Sequence, residues 1–148
     1  MTVSFTSEGD IFATGVQAVG VPLSANGRAG ASPFATALQD RYPAFVSDYG
    51  KRGRAGALSP GGLWLWRDAQ PWLLGLIVRE TPHRPTRLRF IEQAILNIYQ
   101  DWQREGLHNL ALPRLVDEPE WRSVRDMLGR YLDAPPLRVV VYEHVFAG

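Results

Sequence analysis

The stretch Trp72-Leu73-Leu74-Gly75-Leu76-Ile77-Val78 constrains the chain most, because it is apolar at every position over the length of one strand. Side chains alternate between the two faces of a strand, so an uninterrupted apolar run must be covered on both sides. A sheet with one wet face is thereby excluded, and helices are required above and below. The run is far shorter than the ~20 residues a membrane span needs, and no other apolar stretch comes closer.

The flanking segments supply those helices. Leu88, Ile91, Ile95, Ile98 and Trp102 recur at spacings of three and four, the signature of an amphipathic helix. Leu107 to Pro113 reads as the next strand. Trp121, Val124, Leu128, Tyr131 and Leu132 line a second helix, and Leu137 to Glu143, centred on Val139-Val140-Val141, closes as a strand. Earlier, Thr2 to Thr6 alternates as a short strand and Gln17 to Leu23 reads as a buried one. Ser32 caps a helix with Pro33 at its first position and Phe34, Leu38, Phe45 and Tyr49 near one face. Residues 50–62, GKRGRAGALSPGG, read as a surface connection to a strand over Leu63 to Arg67. About six strands interleaved with three main helices predict an α/β fold: a three-layer α/β/α sandwich around a mixed, largely parallel sheet. Residues 1–148 are expected to form a single domain, a length that buries about 70% of the unfolded surface.

Composition narrows the function classes. Hydrophobic residues at 45% and charged residues at 21% are ordinary globular usage. A formal charge of +1 is too mild for electrostatic nucleic-acid binding by itself, although Arg52, Arg54, Arg84 and Arg87 could touch a phosphate backbone. The absence of cysteine removes thiol nucleophiles and Cys-ligated metals, and His83, His108 and His144 lack ligand spacing, so no metal site is expected. The start MTVSFTSEGD shows no signal-peptide pattern, which makes a cytoplasmic location the expectation. There is no Walker, GxGxxG, HExxH or GxSxG pattern.

In such sheets ligands bind beyond the carboxyl ends of the strands. Asp10 after Gly9 could accept a hydrogen bond from an exocyclic amine, or serve a turn. Gly27 and Gly30 could open a backbone cradle for phosphate before the helix at Ser32, or form a plain flexible connection. Arg79, ending the buried strand, could hold an anion or pair with Glu80. His83, between prolines, could act as a base but shows no partner. Asp117-Glu118-Pro119-Glu120 reads as a helix start, with Asp117 as cap, Pro119 in the first turn and Glu120 reaching back.

Taken in order, Glu8-Gly9-Asp10-Ile11-Phe12, Ala37-Leu38-Gln39-Asp40-Arg41-Tyr42-Pro43, Thr86-Arg87-Leu88-Arg89-Phe90-Ile91-Glu92 and Leu110-Ala111-Leu112-Pro113-Arg114-Leu115 resemble the macro domains. The resemblance spans nearly the whole chain. It is nearest to the ADP-ribosyl glycohydrolases linked to DNA repair, which include antitoxins that strip ADP-ribose from thymidine and the terminal ADP-ribose protein glycohydrolases. It implies binding of ADP-ribose, or of ADP-ribosylated DNA or protein, with no cofactor. Asp10 would take the adenine amine, with the Ile11 backbone beside it, and Asn26, Gly27 and Gly30 would stand in the first phosphate loop. Arg79 falls where the nearest relatives carry a lysine at the distal ribose. Arg keeps the charge but is a poor nucleophile or base. The second glycine-rich loop, which would follow Leu115, is shortened and carries no glycine. Asp117 stands four residues before Trp121, where protein-deglycosylating relatives carry a catalytic aspartate. Two functions follow: hydrolysis of the ADP-ribosyl linkage with Asp117 and Arg79 as catalytic residues, or a degenerate, non-catalytic module for protein interaction or regulation.

Overall fold

The computed structural model describes residues 3–7, 9–133 and 136–147, so the expected contributions of Thr2 and Glu8 lie outside the described residues. Six strands are formed: β1 (Val3–Thr6), β2 (Ala18–Ser24), β3 (Leu63–Trp66), β4 (Trp72–Arg79), β5 (Asn109–Arg114) and β6 (Arg138–Phe146). They assemble in the order β1-β6-β5-β2-β4-β3. Five run parallel and β3 pairs antiparallel with β4 at the edge, because the turn at 67–71 returns the chain directly as a hairpin.

The helices are α1 (Pro33–Arg41), α2 (Pro43–Arg54), α3 (Leu88–Asp101) and α4 (Trp121–Tyr131). The apolar run behaves as its pattern requires. Leu74, Leu76 and Val78 face the α3 and α4 side with Ile91, Ile95, Trp121 and Leu128, whereas Leu73 and Ile77 face the α1 and α2 side with Phe34, Phe45 and Tyr49. The result is the expected three-layer α/β/α sandwich.

Two readings of the first half need correction. The helix opening at Ser32 is two helices. Pro43 disfavours helical backbone at the residue before it, and Tyr42 accordingly leaves the helix at φ −133° and ψ 60°, so α2 restarts with Pro43 at its first position. Residues 50–54, expected in a surface loop, form the last turns of α2. Their glycines serve close packing: a Cβ on Gly53 would lie 2.2 Å from both the N and the Cα of Gly27.

Because β1, β6, β5, β2 and β4 are parallel, their carboxyl ends share one edge. Gly9 and Asp10 after β1 and the connections at 25–32, 80–87 and 115–120 therefore gather there, together with the end of β6.

Candidate functional site

Asp10 stands at the end of β1 and caps a single 3-10 turn (Ile11–Ala13), its Oδ1 accepting from the Phe12 N–H at 3.0 Å. The same carboxylate is held by Arg41 from the end of α1, with Nη2 2.9 Å from Oδ2 and Nη1 3.4 Å from Oδ1. These bonds, led by the one from Arg41, hold the Asp10 carboxyl below the usual carboxylate range. A cleft of about 340 Å³ opens here, with Asp10, Phe12, Arg41 and Phe146 among its walls and Ile11 buried beneath. Phe12 rests on Phe34 and Tyr42 at centroid distances of 5.3 and 5.6 Å, so one wall is a rigid aromatic surface.

The loop after β2 is anchored from below. The Tyr49 hydroxyl donates to the Ser24 carbonyl at 2.6 Å and accepts from the Ser24 N–H at 2.9 Å. Arg79 Nε in turn donates to Ser24 Oγ at 3.1 Å, so Arg79 is tied to the loop base and does not pair with Glu80, whose partner is Arg87 at 3.3 Å. In the loop itself Gly27 and Gly30 adopt φ of 81° and 82°. The N–H groups of Ala25, Asn26, Gly27 and Arg28 are already used, bonding Arg79 O, Glu80 O, Ser24 O and Asn26 Oδ1. Those of Ala29, Gly30 and Ala31 form no hydrogen bond with a described residue, so free donors concentrate at Gly30, just ahead of α1. Gly27 is accounted for by its contact with α2.

Tyr49 was not singled out by its sequence, where it reads as core. Burial pushes its hydroxyl up to about 12 from 10.0. A folded-state pKa above the unfolded value means the stability from this group is complete below pH 10 and lost as pH rises toward 12. Tyr49→Phe strands the buried Ser24 N–H and is expected to cost about 1–3 kcal/mol at neutral pH. Denaturant unfolding at pH 7 and pH 11 checks this, because the variant should also show a flatter alkaline decline than the parent.

The connection from β5 to α4 departs from its predicted form. The first residue outside α4 is Glu120, which makes no side-chain capping bond, and Pro119 lies in the turn before the helix. Asp117 does not cap α4 either. Its Oδ1 accepts from the adjacent Glu118 N–H at 2.8 Å and from Arg114 Nη2 at 3.3 Å, and the cap position itself falls three residues later, at Glu120. The Asp117 side chain is 69% exposed. Among the described residues no hydrogen bond or ion pair joins Asp117 to Arg79.

A larger depression of about 540 Å³ runs along α4, but Glu118, Asp126 and Glu143 line it together with Arg122 and Arg125, and Arg125 is paired with Glu143 at 3.2 Å. Its mixed charge gives no focused attraction for an anion. Of the four arginines considered for nucleic acid, Arg52 pairs with Asp48 and Arg87 with Glu80, which leaves Arg54 and Arg84 without an ion pair to a described residue. His83 is an exposed turn residue. Among the described residues no group of three or more His, Cys, Asp or Glu side chains could hold a metal, and no helix is long and apolar enough to cross a membrane.

This order of strands, with four helices in two layers and a cleft at the shared carboxyl edge, defines a macrodomain fold. Solved structures with the same architecture include the macrodomain of Thermus aquaticus DarG, at 19% identity and TM-score 0.85 over 95% of this chain and 97% of that one. Thermosipho africanus DarTG in complex with ADP-ribose superposes at 21% identity and TM-score 0.86, covering 95% of this chain and 41% of the larger protein. The macrodomain of Mycobacterium tuberculosis DarG gives 17% identity and TM-score 0.83 over 95% and 96% of the two chains. No family model matches the sequence, and no curated protein does.

Proposed function

We propose that this chain recognises ADP-ribose, free or attached to DNA or protein. The observation that carries the reading is the placement of Asp10, at an apolar cleft of about 340 Å³, on the same strand edge as the Gly30 segment with its unused N–H donors. An acceptor for an exocyclic amine, aromatic walls for a base and a helix N-terminus for phosphate are the three elements an adenosine diphosphate needs. The likeness of the fold to an ADP-ribose-bound DarTG supports the same reading. The shortened connection after β5 presents Asp117, Glu118 and Glu120 where further donors would be needed, so binding is expected to be weaker than with two donor loops.

Titration calorimetry with free ADP-ribose tests this. Saturable heat at micromolar to millimolar ligand is the expected result. No heat at millimolar ligand would leave a non-catalytic interaction module as the function.

Hydrolysis is the second reading, favoured by the exposed Asp117 carboxylate that is not consumed by capping. Asp117 would take a proton from water as the water oxygen attacks the anomeric carbon, and the bond to the base or side chain would break with its electron pair leaving on that group. Positive charge grows at the anomeric carbon in such a step. Arg79, fixed by Ser24, is therefore suited to hold a phosphate or leaving-group oxygen and not to stabilise the sugar itself. Its bond to Ser24 ties it to the base of the loop that carries Gly30.

A further inference from the structure

The Asp10 cleft contains a second polar group that the amine contact alone does not use. Arg41 lies on its rim, 46% exposed, with Nη2 2.9 Å from Asp10 Oδ2 and its guanidinium 5.4 Å from the centre of the Phe12 ring. An ion pair made this way keeps capacity on both partners. Asp10 accepts the Phe12 N–H and one Arg41 N–H on Oδ1, and one Arg41 N–H on Oδ2. A second lone pair on Oδ2 is unspent, and so is the outer N–H of Arg41 Nη2.

We propose that Arg41 and Asp10 together read the purine edge, Asp10 Oδ2 accepting from the exocyclic amine while Arg41 Nη2 donates to the adjacent ring nitrogen. This rests on the ADP-ribose reading above and extends it to a specificity-determining residue. The pair sets an acceptor beside a donor, as an Asn or Gln amide does at an adenine edge. Adenine matches it with an amine beside a ring nitrogen. An oxo-purine offers an oxygen where Asp10 needs a donor, so two acceptors would face each other across a desolvated contact. The arrangement also cancels the charge of Asp10, which would otherwise repel the diphosphate of the same ligand. The Phe12 ring beneath the guanidinium and the two bonds to Asp10 restrain Arg41 at the rim of the cleft.

Calorimetric titration of the full chain with free ADP-ribose, its 1-deaza and 7-deaza analogues and the hypoxanthine analogue provides the test, with Arg41→Ala and Arg41→Gln alongside the parent. The parent is expected to bind the hypoxanthine analogue about 10-fold more weakly than ADP-ribose. Both variants are expected to lose about 10-fold toward ADP-ribose, but to lose nothing further toward the one deaza analogue that lacks the nitrogen Arg41 contacts. If the variants bind ADP-ribose and both deaza analogues with the parent's relative affinities, Arg41 touches no ring nitrogen and the inference fails while ADP-ribose recognition stands. Parent protein that binds none of the four ligands overturns both. Because Arg41 is exposed at the end of α1, unchanged thermal midpoints in the variants are expected and separate the contact from a folding defect.

Discussion

Gly53→Ala is expected to lower the thermal midpoint by roughly 4–8 °C and to weaken the ADP-ribose binding proposed above. An added Cβ would stand 2.2 Å from the N and Cα of Gly27 and 2.4 Å from the Asn26 carbonyl carbon. All three are backbone atoms, and that backbone is pinned by the Ala25 and Asn26 N–H bonds to the end of β4. No flexible side-chain end can yield, so either α2 moves off the sheet or the loop moves off α2. Overpacking of this kind costs about 3 kcal/mol at the upper end, which outweighs the roughly 1 kcal/mol an alanine gains over glycine inside a helix. Gly50→Ala is the matched control, one turn earlier on the same helix. Its Cβ would meet the far end of Arg54 at 3.2 Å, which can swing away, so the variant should be neutral or slightly more stable. Differential scanning calorimetry of the two proteins checks the pair. Equal midpoints would show that the contact of the loop with α2 is loose and that Gly27 is present for the ligand alone.

The same contact shows where sequence patterns lose their force. The strands read at 72–78 and 137–143 were legible because their apolar residues leave no alternative to burial, and α3 because its stripe repeats without interruption; β6 runs on to Phe146 through residues that are not buried. Residues 50–54 carry two glycines, which local propensity assigns to a loop, yet tertiary packing of Gly53 on Gly27 makes glycine the residue this helix requires. The break before Pro43 was legible in principle from the pre-proline rule, but the apolar positions Phe34, Leu38, Phe45 and Tyr49 run across it and mask it.

At the site, Asp10 sits on the shared edge because it opens the 3-10 turn that comes after β1. Its partner Arg41 is 31 residues away, and no spacing rule links them. Ser24, Tyr49 and Arg79 likewise meet only through the pairing of β2 with β4 and the covering of β2 by α2. The capping pattern at Asp117 failed for a definite reason. The helix begins at Trp121 with Glu120 at the cap position, three residues later than the pattern reads, so Asp117 lies outside the cap and pairs with Arg114 from the end of β5 instead.

The exposed pair of Asp117 with Arg114 sets the last expectation. If Asp117 acts on water, Asp117→Ala should reduce release of ADP-ribose from ADP-ribosylated DNA or protein by about 10²–10⁴-fold, the usual contribution of a positioned acid or base. Free ADP-ribose should still bind within a few-fold of the parent, since Asp117 is not among the walls of the Asp10 cleft. Stability should change little, because the side chain is exposed and caps no helix. Arg114→Gln offers the complementary arm. Removing the guanidinium frees the Asp117 carboxylate from its 3.3 Å partner, so a catalytic Asp117 should give altered turnover, with ADP-ribose affinity retained. Parent turnover that survives Asp117→Ala unchanged would take the catalytic role away from this residue. Absence of turnover in the parent, with binding intact, would mark the connection after β5 as the place where a macrodomain fold keeps recognition without hydrolysis.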